Sequence, residues 1–185
     1  MSDEFEPGDA LLFMKIGQHA NEDLEKIIER KKLEIERAGF AMWGYGGNTC
    51  HPRTMVQPFA ESVVATGRVI RLCMQKMDSH HLADQIRASL SSVDDENWNE
   101  IPEAINVMGS RYALCIKDLR EASAYLPLEG TRVAIGNSKG RQGSAYLKGH
   151  VDKACLELVD TTETESPIEI HLMAELVAPY AVYLK

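Results

Sequence analysis

The sequence lacks several features that would assign its class directly. No run approaches the roughly 18 uninterrupted apolar residues of a membrane-spanning helix, and the acidic start MSDEFEPGD lacks the regions of a signal peptide. We therefore expect a cytoplasmic protein with no membrane partner. Aromatic residues make up only 6% of the chain, but 44% of the residues are hydrophobic and 26% are charged, which is typical of a globular protein. The length of 185 residues predicts one domain spanning residues 1–185.

Basic residues are also fewer than acidic residues in this chain. The chain has 20 Lys and Arg residues against 28 Asp and Glu residues, which gives a formal net charge of -8. Because proteins that hold a phosphate backbone usually present a basic surface, this charge disfavours extended nucleic acid as a partner but does not exclude it. A small anion can still bind where a few cations and backbone N–H groups converge. A chain of this size can also form a homodimer.

The pattern of apolar residues predicts an α+β domain. A strand is predicted over residues 10–17, and a helix begins at the capping residue Asn21 and stops at Gly39. Since the strands of the second half follow one another without helices between them, we expect a mostly antiparallel sheet, open or barrel-like, with flanking helices. One long strand or a bent pair is predicted over residues 62–76, with a bulge or a close backbone approach at Gly67. Further strands are predicted over residues 112–118, 131–135, 154–159 and 168–177.

Residues 78–108 differ from the rest of this half. Apolar residues recur there at helical spacing, which predicts a helical insertion between strands. An alternative function follows from this segment, in which the helices present Trp98 and Met108 to a protein partner. The apolar positions are Leu82, Ile86, Leu90, Trp98, Ile101, Ile105 and Met108.

The stretch WGYGGNTCHP, residues 43–52, is the first candidate binding segment. Its glycines let a ligand approach the backbone, and its aromatic rings offer faces on which a base could stack. Polar side chains in and after the stretch could read the edge of a base or hold a phosphate. The alternative is a tight turn whose aromatic residues pack into the core. The predicted ligand contacts are Trp43, Tyr45, Gly46, Asn48, Thr49, His51, Arg53 and Gln57.

The glycine-rich segment of residues 134–149 is the second candidate. It has the composition of an anion-binding nest, although the orders GxxxxGK[ST] and GxGxxG are both absent. A solvent-exposed hairpin loop would have the same composition. The residues expected to support the ligand here are Ser138, Lys139, Arg141 and Gln142.

Thiol and metal chemistry are weaker alternatives. Cys50 and His51 could form a nucleophile and base, but neighbours in sequence often point apart. His51, His80 and His81 could bind zinc with Cys50 or Asp84, although adjacent histidines lack the spacing that aims two ligands from one helix face. The four cysteines lie far apart without a CxxC spacing, so neither a zinc ribbon nor a dithiol redox motif is indicated, and we expect buried free thiols. We expect no metal and no cofactor.

The segments EPGDALLF and GRVIRL resemble the strand entry and the following strand of the PUA-like superfamily, which includes the ASCH and EVE domains. The resemblance covers about residues 7–75. It implies a small curved β-barrel with flanking helices and a cleft for RNA or a modified base. The chain departs from this family in its acidic charge, and no position matches the Lys and Glu pattern of the ASCH hydrolases.

These observations favour a binding protein for a nucleotide-like small molecule, either a nucleotide signal or a modified nucleobase. Such a protein would act as a sensor or would sequester its ligand. The alternative on the same scaffold is a small hydrolase or transferase acting on a nucleotide-like substrate, with His51 as acid or base. A protein-interaction module built on residues 78–108 is the third hypothesis.

Overall fold

The computed structural model describes residues 5–19, 22–46, 52–81, 86–148, 153–161 and 167–185, with residues 78–81 described for the backbone alone. In these residues the chain forms a nine-stranded, mostly antiparallel sheet and three α-helices. The predicted α+β class and the mostly antiparallel sheet are therefore confirmed.

The elements alternate in the first half of the chain and become mostly strands in the second. The first half contains β1 (Ala10–His19), α1 (Leu24–Ala38), β2 (Ala41–Gly46), α2 (Arg53–Ala65) and β3 (Arg71–His81). The second half contains β4 (Leu90–Ser92), β5 (Asn99–Glu100), β6 (Tyr112–Leu126), β7 (Thr131–Val133), α3 (Gly143–Leu147), β8 (Lys153–Leu158) and β9 (Ile168–Leu184), with a 3-10 turn at Leu128–Gly130.

The main path of the sheet runs in the order β2, β6, β9, β3, β1, β8, β7, and the short pair of β4 and β5 joins it through β9. Strands β1 and β3 are parallel to each other, whereas the other pairs among the described residues are antiparallel. The sheet is not closed in the described residues, because β2 and β7 lie at its two ends and do not pair.

The sheet nevertheless curls strongly. The hydroxyl of Tyr45 on β2 donates a hydrogen bond to the carbonyl oxygen of Phe13 on β1, at 3.0 Å. These strands are four positions apart in the sheet, which in a flat sheet would separate them by roughly 19 Å. A tyrosine side chain cannot reach that far, so the sheet must bend around its inner face. The main hydrophobic core fills this inner face and includes residues from both α1 and α2.

Several predicted elements are confirmed. The strand predicted over residues 10–17 is β1, and the four strands predicted between residues 112 and 177 are β6, β7, β8 and β9. The helix predicted up to Gly39 is α1, but its N-cap is Asp23, and the predicted cap Asn21 lies outside the described residues. Gly39 has a φ of 86° and its N–H donates to the carbonyl of Ile35. Because this left-handed conformation costs glycine little, Gly39 ends the helix as expected.

The strand predicted over residues 62–76 is wrong in its first part. Residues up to Ala65 belong to α2, which buries Val56, Phe59, Ala60 and Val63 against the core. This spacing gives one apolar helical face, and the packing outweighs the strand preference of the β-branched residues. Gly67 has a φ of 79° in the turn after the helix, so it is not a bulge within a strand.

The helical insertion predicted over residues 78–108 is also wrong. Strand β3 continues to His81, and the described residues 86–108 contain the hairpin of β4 and β5 and no helix. Arg87 holds this segment together, since its guanidinium donates to the carbonyls of Pro102 and Ile105 at 2.9 and 2.8 Å. Side-chain bonds to the backbone thus replace helical hydrogen bonds.

A separate small core lies under the segment of residues 86–108 and includes the buried Ile101 and Ile105. The face of the sheet opposite the main core carries a third cluster, which extends to α3. Within the described ranges, none of the helices combines the length and the apolar character that crossing a membrane requires.

Candidate functional site

The first candidate segment connects β2 to α2. Residues 47–51 lie outside the described part of the chain, so the predicted contacts Asn48, Thr49 and His51, and the Cys50 and His51 pair, have no described position. The flanking residues are described on both sides: Tyr45 and Gly46 end β2, and Pro52 caps α2. The site is therefore built from these flanking residues.

Trp43 and Tyr45 belong to the main hydrophobic core. Their exposed fractions are 5% and 1%, and the Tyr45 hydroxyl is bound to the Phe13 carbonyl. Neither ring offers an open face to a base in this arrangement, so the predicted stacking role is not supported. Both side chains lie on the same inward face of β2, as expected for residues two apart in a strand.

Gly46 is required by packing. A Cβ atom built at this position would overlap the ring of Tyr112, which lies directly against the glycine. Tyr112 is paired with Gly46 across β2 and β6, and its ring meets the ring of Tyr45 edge to face with centroids 6.0 Å apart. The predicted role of Gly46 in ligand approach is thus accompanied by a structural role that its neighbours explain.

Arg53 and Gln57 lie one helical turn apart on α2 and bind the same residue of β9. The Gln57 side-chain oxygen accepts from the Ala181 N–H at 3.0 Å, and Arg53 Nε donates to the Ala181 carbonyl at 3.0 Å. The Arg53 guanidinium also lies 4.9 Å from the centroid of the Tyr183 ring. Gln57 is thereby committed to the backbone of β9. The two terminal nitrogens of Arg53 have no hydrogen-bond partner among the described residues.

The N-terminal end of α2 is favourable for an anion. Its N-cap is Pro52, no side chain of the described residues caps the helix, and its first turn contains no acidic residue. The N–H groups at the start of a helix have no partner within the helix, and they carry the positive end of its dipole. Thr54 is exposed in this turn.

The second candidate segment forms a compact turn after β7. Lys139, Arg141 and Gln142 are exposed, and Ser138 is half-buried. The Ser138 carbonyl accepts from the Arg141 N–H at 3.0 Å, and the Gln142 side chain donates to the carbonyl of Glu129 at 2.9 Å. The segment therefore forms a solvent-exposed turn, as the alternative prediction of an exposed loop expects. The charged groups of Lys139 and Arg141 lie at the surface of this turn.

The second candidate segment contacts the first turn of α2. A Cβ atom built on Gly136 would lie 3.4 Å from the sulfur of Met55, which is in the first turn of α2. Gly136 has a φ of 79°, so the turn passes close to the helix at a position that favours glycine. The second segment therefore adjoins the start of α2, directly after residues 47–51.

Lys153, at the start of β8, lies near the end of β2. Its Nζ is 5.4 Å from the centroid of the Tyr45 ring. The sequence carries no motif around Lys153 that would distinguish it from other lysines, and only the curl of the sheet brings β8 close to β2.

The thiols within the described part of the chain are structural. Cys73, Cys115 and Cys155 are buried and free. Burial raises the pKa of Cys73 to about 12 and the pKa of Cys115 to about 12, and it raises the pKa of Cys155 as well. Since the thiolate is the reactive form, these three cysteines are inert near neutral pH.

The side chains of the proposed zinc site lie outside the part of the chain that the structure describes. Cys50, His51 and Asp84 are not described, and the side chains of His80 and His81 are not described either. Elsewhere in the described ranges, no three His, Cys, Asp or Glu residues are arranged to hold a metal ion.

The two residues predicted to face a protein partner are held within the molecule. Trp98 is half-buried, and the Lys185 Nζ lies 5.2 Å from the centroid of its ring. The carbonyl oxygen of Met108 accepts a hydrogen bond from His19 Nε2 at 3.0 Å.

In comparisons with protein-family models, with curated proteins and with solved structures, no match to this chain was found.

Proposed function

We propose that this protein binds a nucleotide-like small molecule at the N-terminal end of α2, as a sensor or as a protein that sequesters its ligand. The observation that carries the proposal is the contact between Gly136 and Met55. The second glycine-rich segment adjoins the first turn of α2 there, although the two are about eighty residues apart in sequence. Such a convergence of backbone N–H groups and cations is how an acidic protein can hold a small anion.

Three kinds of group support the proposal. The N-terminal turn of α2 attracts negative charge through its unpaired N–H groups. Lys139 and Arg141 are exposed on the adjoining turn, and Arg53 is stacked on Tyr183 with its terminal nitrogens available. Because Trp43 and Tyr45 are buried, they position the end of β2 instead of stacking on the base.

A PUA-like, barrel-like architecture and a cytoplasmic location form part of the same proposal. The curl of the sheet supports the first, since the bond between Tyr45 and Phe13 draws β2 towards β1. A small curved β-barrel with flanking helices and a cleft for RNA or a modified base is what the resemblance of the segments EPGDALLF and GRVIRL implies.

The experiment is a thermal-shift screen against nucleosides, mononucleotides, dinucleotides and cyclic oligonucleotides. A ligand at a hundredfold excess over Kd should stabilise the protein by about 3 kcal/mol. The double variant Lys139→Ala/Arg141→Ala should weaken this stabilisation. The matched control is Lys26→Ala/Lys32→Ala, which removes two exposed charges from α1 and should leave the response unchanged.

The outcomes separate the hypotheses. A lack of stabilisation across the whole panel would contradict the proposal. Stabilisation that survives unchanged in Lys139→Ala/Arg141→Ala would place the ligand elsewhere. Recovery of a chemically changed ligand, with turnover that is lost in His51→Ala, would replace the binding function by the hydrolase or transferase alternative.

A further inference from the structure

Residues 86–108, here called the strap, cross one face of the sheet. Buried apolar side chains of the strap pack there against residues of β2, β6 and β9. Trp43 and Leu114 belong to the main core, so their neighbours Met42 and Cys115 point to the opposite face, because side chains alternate along a strand. The small core under the strap comprises Ile101, Ile105 and Val107 of the strap and Met42, Ala113, Cys115 and Val182 of the sheet.

The strap is held together by its own hydrogen bonds. The Arg87 guanidinium donates to the carbonyls of Pro102 and Ile105 at 2.9 and 2.8 Å. The Ala88 N–H donates to the carbonyl of Val107 at 2.9 Å. A segment with such an internal network can keep its shape while it separates from its neighbours as a cooperative unit.

The strap is attached to α1 by a pair of charged side chains. Lys31 Nζ donates to the carbonyl oxygen of Asn106 at 2.7 Å, and the Asn106 N–H donates to the Glu34 carboxylate at 2.6 Å. The two side chains also lie within 3.0 Å of each other. Both backbone polar groups of Asn106 are therefore bound by α1.

The other attachments lie at the ends of strands. At the end of β1, His19 Nε2 donates to the carbonyl oxygen of Met108 at 3.0 Å. Ser91 and Ser92 of β4 pair with the last residues of β9. Strand ends open more readily than the centre of a sheet, so the attachment to α1 is the one that lies away from such an end.

The charges of this attachment make it releasable. Lys31 and Glu34 are buried, so both charges have given up water in the closed arrangement. Asn106 Oδ1 and Arg30 Nε are buried as well, and neither has a hydrogen-bond partner among the described residues. All of these groups reach water when the strap opens, which offsets part of the attraction that holds it closed.

We propose that the strap opens as one unit while the rest of the sheet stays folded, and that the pair of Lys31 and Glu34 is the latch that keeps it closed. Opening uncovers the Cys115 thiol and the apolar side chains around it. Cys73 and Cys155 belong to the other two hydrophobic clusters, so they stay covered. The strap is thus a conformational device that controls access to one face of the sheet.

The test measures alkylation of these thiols by iodoacetamide, with mass spectrometry of the resulting peptides. Cys50 lies outside the described residues and is replaced by Ser in every protein tested. In the Cys50→Ser protein, Cys115 should react at least about 10-fold faster than Cys73 and Cys155, since a local opening requires less free energy than global unfolding. The Cys115 rate should also depend less on urea, because the opening exposes less surface.

Two variants distinguish the latch from a general loss of stability. Glu34→Ala destabilises only the closed form, so the Cys115 rate should rise on the order of 100-fold, with its weak dependence on urea retained. In Gly46→Ala the new methyl group overlaps the Tyr112 ring within the sheet, which destabilises the closed and open forms alike. This variant should raise the rates of Cys73 and Cys155 and leave the Cys115 rate unchanged. Circular dichroism checks the fold of each protein.

The outcomes decide the proposal. A Cys115 that reacts no faster than Cys73 and Cys155 would overturn it, because all three thiols would then be reached by global unfolding. A Cys115 rate that rises as much in Gly46→Ala as in Glu34→Ala would remove the latch. The comparison of the three thiols needs no latch variant, so it decides whether the strap opens even if Glu34→Ala does not fold.

Discussion

Two regions of the molecule use charge in opposite ways. On α1, Lys31 and Glu34 are only 3% and 1% exposed, and their groups lie 3.0 Å apart. Lys31 also donates to the backbone carbonyl of Asn106 at 2.7 Å, and Glu34 accepts from the Asn106 N–H at 2.6 Å. At the start of α2, by contrast, Lys139 and Arg141 are exposed on the adjoining turn.

The difference shows which charges hold the fold and which can meet a ligand. The buried pair on α1 fastens the segment of residues 101–108, and each group is engaged with its neighbours. Charges that are already paired in the interior have nothing to offer a ligand, and the loss of one leaves the other buried without compensation. Exposed cations contribute little to stability, so their effect should be seen in binding.

The largest expected effect comes from breaking the buried pair. Glu34→Ala leaves the Lys31 ammonium group buried without its carboxylate, which should lower the free energy of unfolding by about 3–5 kcal/mol. Urea unfolding followed by circular dichroism measures this change. Glu36→Ala, an exposed position on the same helix, is the control and should change stability by less than about 0.5 kcal/mol. Similar values for the two variants would show that the pair does not fasten the segment.

The second expected effect is a pH dependence that originates at Lys31. Burial lowers the pKa of Lys31 from 10.5 to about 8. Between these pH values the unfolded chain binds more protons at this residue than the folded chain does, so the contribution of Lys31 to stability rises as the pH increases. Burial also raises the pKa of Glu34, so the Glu34 contribution to stability increases as the pH falls.

This pH dependence is measured as a difference between two proteins. Stability relative to Lys31→Met should shift in favour of the wild type between pH 7.5 and pH 9.5, values on either side of the Lys31 pKa of about 8. A difference that stays constant over this interval would contradict the assignment to Lys31.

A smaller effect is expected at the end of β2. In Gly46→Ala the new methyl group overlaps the Tyr112 ring, which should cost about 1–3 kcal/mol. Gly44→Ala is the matched comparison, because its methyl group meets the Ser110 side chain, which can rotate away. Thermal unfolding should therefore place Gly46→Ala below Gly44→Ala in stability. The reverse order would mean that Gly46 is not held by the Tyr112 contact.

The smallest expected effect on stability is at the proposed site. Lys139→Ala/Arg141→Ala removes two exposed charges and should change the unfolding free energy by less than about 0.5 kcal/mol without ligand. The same urea titration measures it. A loss of more than about 1 kcal/mol would show that these cations stabilise the turn, and would remove the contrast with the region around Lys31.

Part of the fold could be predicted because local patterns agree with the packing. In β1, Leu11, Leu12 and Phe13 are all buried, which fits a strand covered on both faces, and Gly39 ends α1 as its conformational freedom suggests. Helix α2 was missed although Val56, Phe59 and Val63 have helical spacing. Its strand-favouring valines and the internal Pro58 obscure that signal.

The site was harder to predict than the fold. The burial of Trp43 and Tyr45 has a sequence signal, since Ala41, Trp43 and Tyr45 alternate on one face of a strand. No sequence signal indicates the contact of Gly136 with Met55 or the position of Lys153 over Tyr45. Both depend on the curl of the sheet and on strand order, which are long-range properties that local patterns do not contain.

The central claim is that a nucleotide-like ligand binds at the start of α2 and not in the region of the buried pair. A protein of 20.6 kDa allows a direct test by an NMR titration of the backbone amides, with the member of the thermal-shift panel that stabilises the protein most. We expect saturable shifts at Thr54, Gly136 and Lys139, and unchanged signals at Lys31 and Asn106. Shifts confined to the segment of residues 86–108, or none on saturation, would contradict it.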